Sequence, residues 1–224
     1  MIRLILAAFA LGVSVGAAST PEGILAKALA YHDPNGLWPT LAAEFRFAES
    51  RPDGTDTQSV MRLDNRRTYM HIDFSGKETY EITGDKCVVV KGGKDAERGL
   101  GIRNYFLYLW GLPMKLRDPG TTFDPQVGSS VIDGAACDVI RVNYEKDHWF
   151  FHIDRESGRM RQYEFYGDEE KTKGEIITLR GEVELGSLRI PQERGWYKIP
   201  GNEFLGTDRL ETATLLPSLQ RQPR

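Results

Sequence analysis

The side chains in this sequence best equipped for chemistry are its histidines. His32 is followed directly by Asp33, and a His-Asp pair could orient a proton-transfer group or help to hold a metal. The pair stands at the end of a helical stretch, where the helix C-terminus also favours a cationic imidazole. Its plainer alternative is a cap-and-turn element with Tyr31 and Trp38 packed behind it. His148 and His152 flank Trp149, Phe150 and Phe151, and on a helix an i, i+4 pair could grip one zinc ion. The local pattern is that of a strand, where four residues span about 13 Å, too far for one metal. Both are therefore expected to face solvent on the polar side of a strand. No Gly-x-Ser-x-Gly elbow occurs, and Gly92-Gly93-Lys94 lacks the spacing of a phosphate loop. Neither Cys87 nor Cys137 has the setting of an activated thiol or a second cysteine at ligand spacing. The expectation is no catalytic set, no metal and no cofactor; the enzymatic alternative is a metal-assisted hydrolase using His32 and Asp33.

Large apolar side chains are the other resource. Phe45 and Phe47, Trp149 and Phe151, Tyr163 and Phe165, and the unbroken run from Tyr105 to Trp110 supply enough of them to fill a barrel or to line a cavity inside one. The cavity reading takes Phe45, Phe47, Tyr105, Leu107, Trp110, Met114, Trp149 and Phe151 as its wall, with the run at 105–110 as a lid and a hydrophobic small molecule or lipid as ligand. A packed envelope scaffold without ligand is its alternative.

These residues must be positioned by a mostly β chain. Ile24, Leu25, Ala28 and Leu29 form a helical stripe after Thr20-Pro21 in the cap and first-turn slots, ended by Asp33-Pro34-Asn35-Gly36. From Leu41 the period changes to two. Alternating or β-branched runs recur at 41–47, 59–63, 68–74, 79–83 and 87–90, separated by turn formers such as Pro52-Asp53-Gly54 and Gly84-Asp85. The run at 105–110 is followed by Gly111 and Pro113, the usual end of a helix, and reads as a short helix apolar on every face. Strands resume at 127–132, 136–144, 148–153, 160–166, 175–185 and 204–215. Ten or eleven consecutive antiparallel strands must curl into an incomplete barrel or split into layers. The charged cluster at 168–171 reads as a solvated hairpin tip.

The N-terminus carries one charge, Arg3, before an apolar and small-residue run to Ala18. That is the layout of a cleavable signal peptide, 1–18, with small residues at the cut and Pro21 just beyond. The run is shorter than the roughly 20 residues a bilayer requires, and no cysteine near the cut offers a lipid attachment point. A soluble periplasmic or secreted product without a stable membrane anchor is expected. It would be a single β domain over 19–217, followed by a disordered tail at 218–224. The net charge of −3 is spread over interspersed acids and bases, which argues against nucleic acid as a partner. A monomer is expected. An oxidising compartment permits Cys87 and Cys137 to pair, for about 4 kcal/mol on the chain-entropy view, but two separately buried thiols fit equally well.

The order of exported N-terminus, amphipathic helix, strands, apolar helical insertion and more strands resembles the LolA/LolB type of periplasmic lipoprotein carrier, in which a strongly curved, incomplete barrel is closed by helices over an apolar cavity. Several stretches are similar to a family of secreted bacterial proteins of unknown function related to that fold. They are Ala30-Tyr31-His32-Asp33-Pro34-Asn35-Gly36-Leu37-Trp38, the segment from Asn104 to Leu116, Asp118-Pro119-Gly120-Thr121, Trp196-Tyr197 and Leu205-Gly206-Thr207-Asp208. The resemblance spans the mature chain and implies the fold; it implies no activity, and no residue here matches a partner-docking motif of the lipoprotein carriers.

Overall fold

The computed structural model describes residues 19–217; the expected signal peptide and the expected disordered tail lie outside the described residues. Helix α1 (Pro21–His32) begins as its sequence dictates. Thr20 is the N-cap, its Oγ1 accepting from the Gly23 amide at 3.2 Å, with Pro21 in the first turn and Glu22 near the positive end of the helix dipole. The helix turns Ile24, Leu25, Ala28 and His32 inward.

Five strands follow, β1 (Ala42–Ser50), β2 (Asp56–Asp64), β3 (Tyr69–Phe74), β4 (Glu78–Thr83) and β5 (Lys86–Lys91). Period-two alternation in β1 sends Ala43, Phe45 and Phe47 into the interior and Arg46 to solvent. Helix α2 (Ala96–Trp110) crosses next, and a 3-10 turn (Met114–Arg117) leads back to the sheet. The second half comprises β6 (Gly128–Ile132), β7 (Ala135–Asn143), β8 (His148–Asp154), β9 (Met160–Tyr166), β10 (Gly174–Arg180), β11 (Val183–Leu185), β12 (Leu188–Ile190), β13 (Glu193–Ile199) and β14 (Glu203–Leu215).

Twelve strands make one antiparallel sheet in the order β5-β4-β3-β2-β1-β14-β13-β10-β9-β8-β7-β6, and β11 and β12 form a separate hairpin. The last strand joins the two halves: β14 lies between β1 and β13, with Phe45 opposite Ala213 and Glu193 opposite Arg209. The margins β5 and β6 do not pair with each other. The result is the expected curved, open sheet with two α-helices, and not a closed barrel.

Three boundaries differ from expectation. The sequence run at 175–185 breaks into β10 and β11 because Gly181 adopts φ +60°, which a β-branched run cannot continue through. Strands β12 and β13 arise between runs that the sequence pattern separates, raising the total to fourteen among the described residues. Helix α2 starts at Ala96, nine residues before the expected run at 105–110, behind the N-cap Asp95, whose carboxylate accepts from the Arg98 amide at 2.8 Å. Its first half is charged and interrupted by Gly99 and Gly101, which hides the periodicity.

Gly99 has a packing reason. A Cβ there would overlap the Cys87 sulfur and stand 2.7 Å from Tyr80 Cδ1, so only glycine lets α2 rest on β4 and β5. Gly99→Val is therefore expected to lower stability by about 1–3 kcal/mol through overpacking, read as a shift in the urea midpoint; an unchanged midpoint would show that α2 does not rest there.

Candidate functional site

Helix α2 occupies the inner face of the sheet. Phe106 and Trp110 meet Phe47 at ring-centre distances of 5.3 and 4.5 Å, Phe106 also meets Phe74, and Phe47 stacks on Phe45. Farther along, Tyr108 sets its edge on Trp149, which stacks on Phe165, Tyr163 and Phe151. Phe45, Phe47, Trp110, Met114 and Phe151 are buried in one apolar cluster, with Leu107 and Trp149 packed against it. Tyr105 lies at the border, 43% exposed and stacked on Trp196. Seven of the eight residues expected to wall one chamber thus fall on one apolar body, with Tyr105 at its border, but α2 fills the space between them.

Beside α2 lie two open clefts. One of about 640 Å³ runs along its first half, among Glu49, Phe74, Arg98, Ile102, Tyr105 and Phe106. The other, about 760 Å³, has Leu29, Trp38, Leu63, Met70, Leu107 and Met114 in its wall and is also bordered by Arg103, Lys115 and Arg117. The expected cavity residues therefore divide: Tyr105 lines the first cleft, Leu107 and Met114 the second, and the rest are core.

Polar latches hold α2 down. The Asp208 carboxylate accepts from Trp196 Nε1 at 2.8 Å and Tyr105 Oη at 3.4 Å, while its other oxygen pairs with Arg51 at 2.9 Å. The Tyr108 and Tyr144 hydroxyls hydrogen-bond to each other; burial first, and that bond second, raise the Tyr108 pKa. At the C-terminal end, Arg194 on β13 is fully buried. It donates to the Leu109 carbonyl at 2.9 Å and the Pro191 carbonyl at 3.1 Å, with its guanidinium 3.6 Å from the centre of the Trp110 ring. The Leu109 carbonyl is one of the groups a helix C-terminus leaves unpaired, so Arg194 satisfies it as a cap would. Sequence reasoning missed Arg194, Asp208 and the Tyr108–Tyr144 pair. Arg194 and Trp196 share the inner face of β13, a signal legible only once that strand is recognised.

His32 and Asp33 are brought together by the chain but serve separate ends. The Met160 amide donates to His32 Nε2 at 3.0 Å, which leaves Nδ1 to donate to the Arg189 carbonyl at 2.7 Å. Burial, the largest cause, with Arg159, Arg189 and Arg194 nearby, lowers the His32 pKa from 6.5 to about 4 although the Arg189 carbonyl pulls it upward. Both ring nitrogens are committed to backbone groups. The Asp33 carboxylate accepts from the Leu37 and Trp38 amides at 2.6 and 3.0 Å and holds the turn after α1. The pair is a structural clasp and offers no free nitrogen to a metal or substrate.

His148 and His152 sit on β8 as expected for a strand, but only one of them reaches the surface. His148 is half-buried beside Glu169 at 3.1 Å, whereas His152 is buried, with Nδ1 2.8 Å from Ser130 Oγ and Nε2 3.6 Å from Glu164. The expectation that both face solvent fails because Ser130, reaching from β6 past β7, and Glu164 on the adjacent β9 cover the second imidazole. Among the described residues no group of three His, Cys, Asp or Glu is placed to hold a metal ion. The cysteines are both free, Cys87 on β5 and Cys137 on β7, with most of the sheet between them. Of the two alternatives, separate thiols is the one the structure takes, and burial raises the pKa of each.

Residues 1–208 match the model of a family of unknown function, DUF6503. The chain belongs to that family. No curated protein matches it in sequence. Among solved structures it is similar to a LolA superfamily protein, NE2245, from Nitrosomonas europaea, with a TM-score of 0.57 and 12% identity over 89% of this chain and 95% of that one. It is also similar to a DUF1329 family protein from Desulfovibrio piger, TM-score 0.55 and 7% identity, covering 89% and 94% of the two chains. A putative outer membrane lipoprotein-sorting protein domain from Vibrio parahaemolyticus aligns with a TM-score of 0.54 and 8% identity over 88% and 93%. At these identities the likeness is one of fold, and it bears out the LolA-type architecture implied by the sequence.

Proposed function

We propose that the chain is a non-enzymatic, exported, monomeric protein that binds an apolar ligand, a lipid, an acyl chain or a lipidated peptide, in the seat now filled by α2. The observation that carries this reading is the helix itself. Its aromatic side chains fill the inner face of the sheet, and polar latches fasten it near its middle and C-terminal end. The cleft of about 760 Å³ along its flank has the size of a small-molecule site. An incoming chain would enter among Leu29, Trp38, Leu63, Met70, Leu107 and Met114 and replace the side chains of α2 against Phe47 and Trp149. The region 19–217 acts as one unit, since β14 ties its two halves together. Export follows from residues 1–18, and among the described residues no helix is long and apolar enough to cross a membrane. The fold shared with a LolA superfamily protein and a lipoprotein-sorting domain supports the reading.

Native mass spectrometry of protein purified without detergent from a bacterial envelope is expected to reveal a bound lipid alongside the bare chain. A Leu107→Asp/Met114→Asp variant, which places charge on the cleft wall, is expected to lose that adduct while keeping its β-sheet circular dichroism. Only the bare mass from the wild type, with no uptake of an added acyl chain, would favour the packed scaffold instead.

A further inference from the structure

The seat under α2 contains a charge that an apolar ligand alone does not explain. Arg194 is fully buried and among the described residues has no carboxylate ion-paired to it, whereas Arg51 pairs with Asp208. Its Nη atoms are used by two carbonyls, while its Nε and the fully buried Tyr163 hydroxyl lie close enough to interact but make no well-formed hydrogen bond, with each other or with any other group. A guanidinium taken out of water with no carboxylate in contact, only Asp208 acting on it from farther off, is among the costlier things a core can contain, and its retention calls for a reason. Of the groups now on it, the Leu109 carbonyl and the Trp110 ring are supplied by the end of α2, the element that an acyl chain would displace, and the Pro191 carbonyl would stay behind.

We propose that Arg194 and Tyr163 form the head-group site of a single-chain anionic amphiphile, the guanidinium N–H groups and the Tyr163 O–H donating to the oxygens of a carboxylate or phosphate monoester when Leu109 and Trp110 move off. The inference rests on the binding role proposed above and narrows its ligand class. The Leu109 carbonyl and the Trp110 ring stand in for the head group and the first part of the chain, so binding and release of α2 are the same exchange. Arg194 suits either head group, since its planar fork matches paired oxygens.

Titrations of the full mature chain with dodecanoate, dodecyl phosphate, dodecanol and acetate, followed by tryptophan fluorescence, test this. One charged pairing predicts that an anionic amphiphile binds at least about tenfold more tightly than dodecanol, and acetate far more weakly than either. The dodecanoate and dodecyl phosphate arms tell which head group the site takes. Arg194→Met keeps the volume and removes the charge; the preference should fall to about one while dodecanol binding persists. Tyr163→Phe, which removes one oxygen and leaves the ring, should lower the preference by about threefold or more and decides the matter if Arg194→Met does not fold. Equal binding of dodecanoate and dodecanol by the wild type would overturn the head-group site and leave the apolar seat standing. A preference that survives Tyr163→Phe and Arg194→Met, or acetate binding as tight as dodecanoate, would also overturn it. Binding of none of the four probes would remove the apolar seat itself.

Discussion

Acidification from pH 6.5 to pH 4 is expected to cost the fold about 3 kcal/mol through His32 alone. The folded imidazole has its pKa lowered to about 4, and in the unfolded chain it returns to about 6.5. Between those values the unfolded state carries one more proton than the native state, so stability rises with pH across the window. Above it neither state is protonated and the full contribution is present; below about pH 4 both are, and the loss is complete. The physical reason lies in the two hydrogen bonds. A proton added at Nε2 would face the Met160 N–H, turning an acceptor into a second donor inside a site with no exposure and three arginines close by. Urea unfolding at several pH values should show this slope in the wild type. In His32→Gln, which cannot protonate and keeps at most one of the two bonds, stability near neutrality should be lower and the slope in this window shallower. Equal slopes in the two proteins would assign the acid sensitivity elsewhere.

Much of the fold is legible because the sheet obeys a simple rule. Where a strand buries one face, as β1 does with Ala43, Phe45 and Phe47, the period of two is written in the residues. The rule fails where a strand carries a buried polar group. In β13 the inward positions are Arg194 and Trp196, separated by Gly195, and an arginine at a core position reads as surface until the fold reveals what it touches. Helix α2 fails for a related reason: Gly99 is required by the closeness of Cys87 and Tyr80, a tertiary contact whose sequence trace is a helix-weakening residue.

The site is legible in composition and not in arrangement. Phe45, Phe47, Trp110, Trp149 and Phe151 do converge on one interior, yet whether that interior is hollow or filled depends on the angle at which α2 meets the sheet, which no local pattern encodes. His32 and Asp33 illustrate the opposite hazard. Adjacent residues suggested a catalytic dyad, but at a helix end successive side chains diverge: one turns into the core toward Met160 and Arg189, and the other caps the Leu37–Trp38 turn. The histidine pair on β8 diverges by context instead, since Ser130 and Glu164 enclose His152 while His148 keeps partial access to solvent.

Trp110→Ala is expected to destabilise the protein by about 3–5 kcal/mol, because the ring is 3% exposed and fills the gap between Phe47 and the Arg194 guanidinium. Two effects contribute to that loss. One is the cavity, about the same whatever lies opposite; the other is the cation–π contact, about 1–2 kcal/mol for a desolvated pair, without which the buried guanidinium loses one of its few compensations. A double-mutant cycle separates them. In an Arg194→Met background the Trp110→Ala penalty should shrink by about 1–2 kcal/mol, since a thioether needs no aromatic face. Urea or thermal unfolding of the four proteins supplies the coupling energy. A value near zero would mean that the ring only fills space; a clear coupling would mean that the end of α2 is fastened through the charge of Arg194, so that whatever neutralises this charge also loosens the helix.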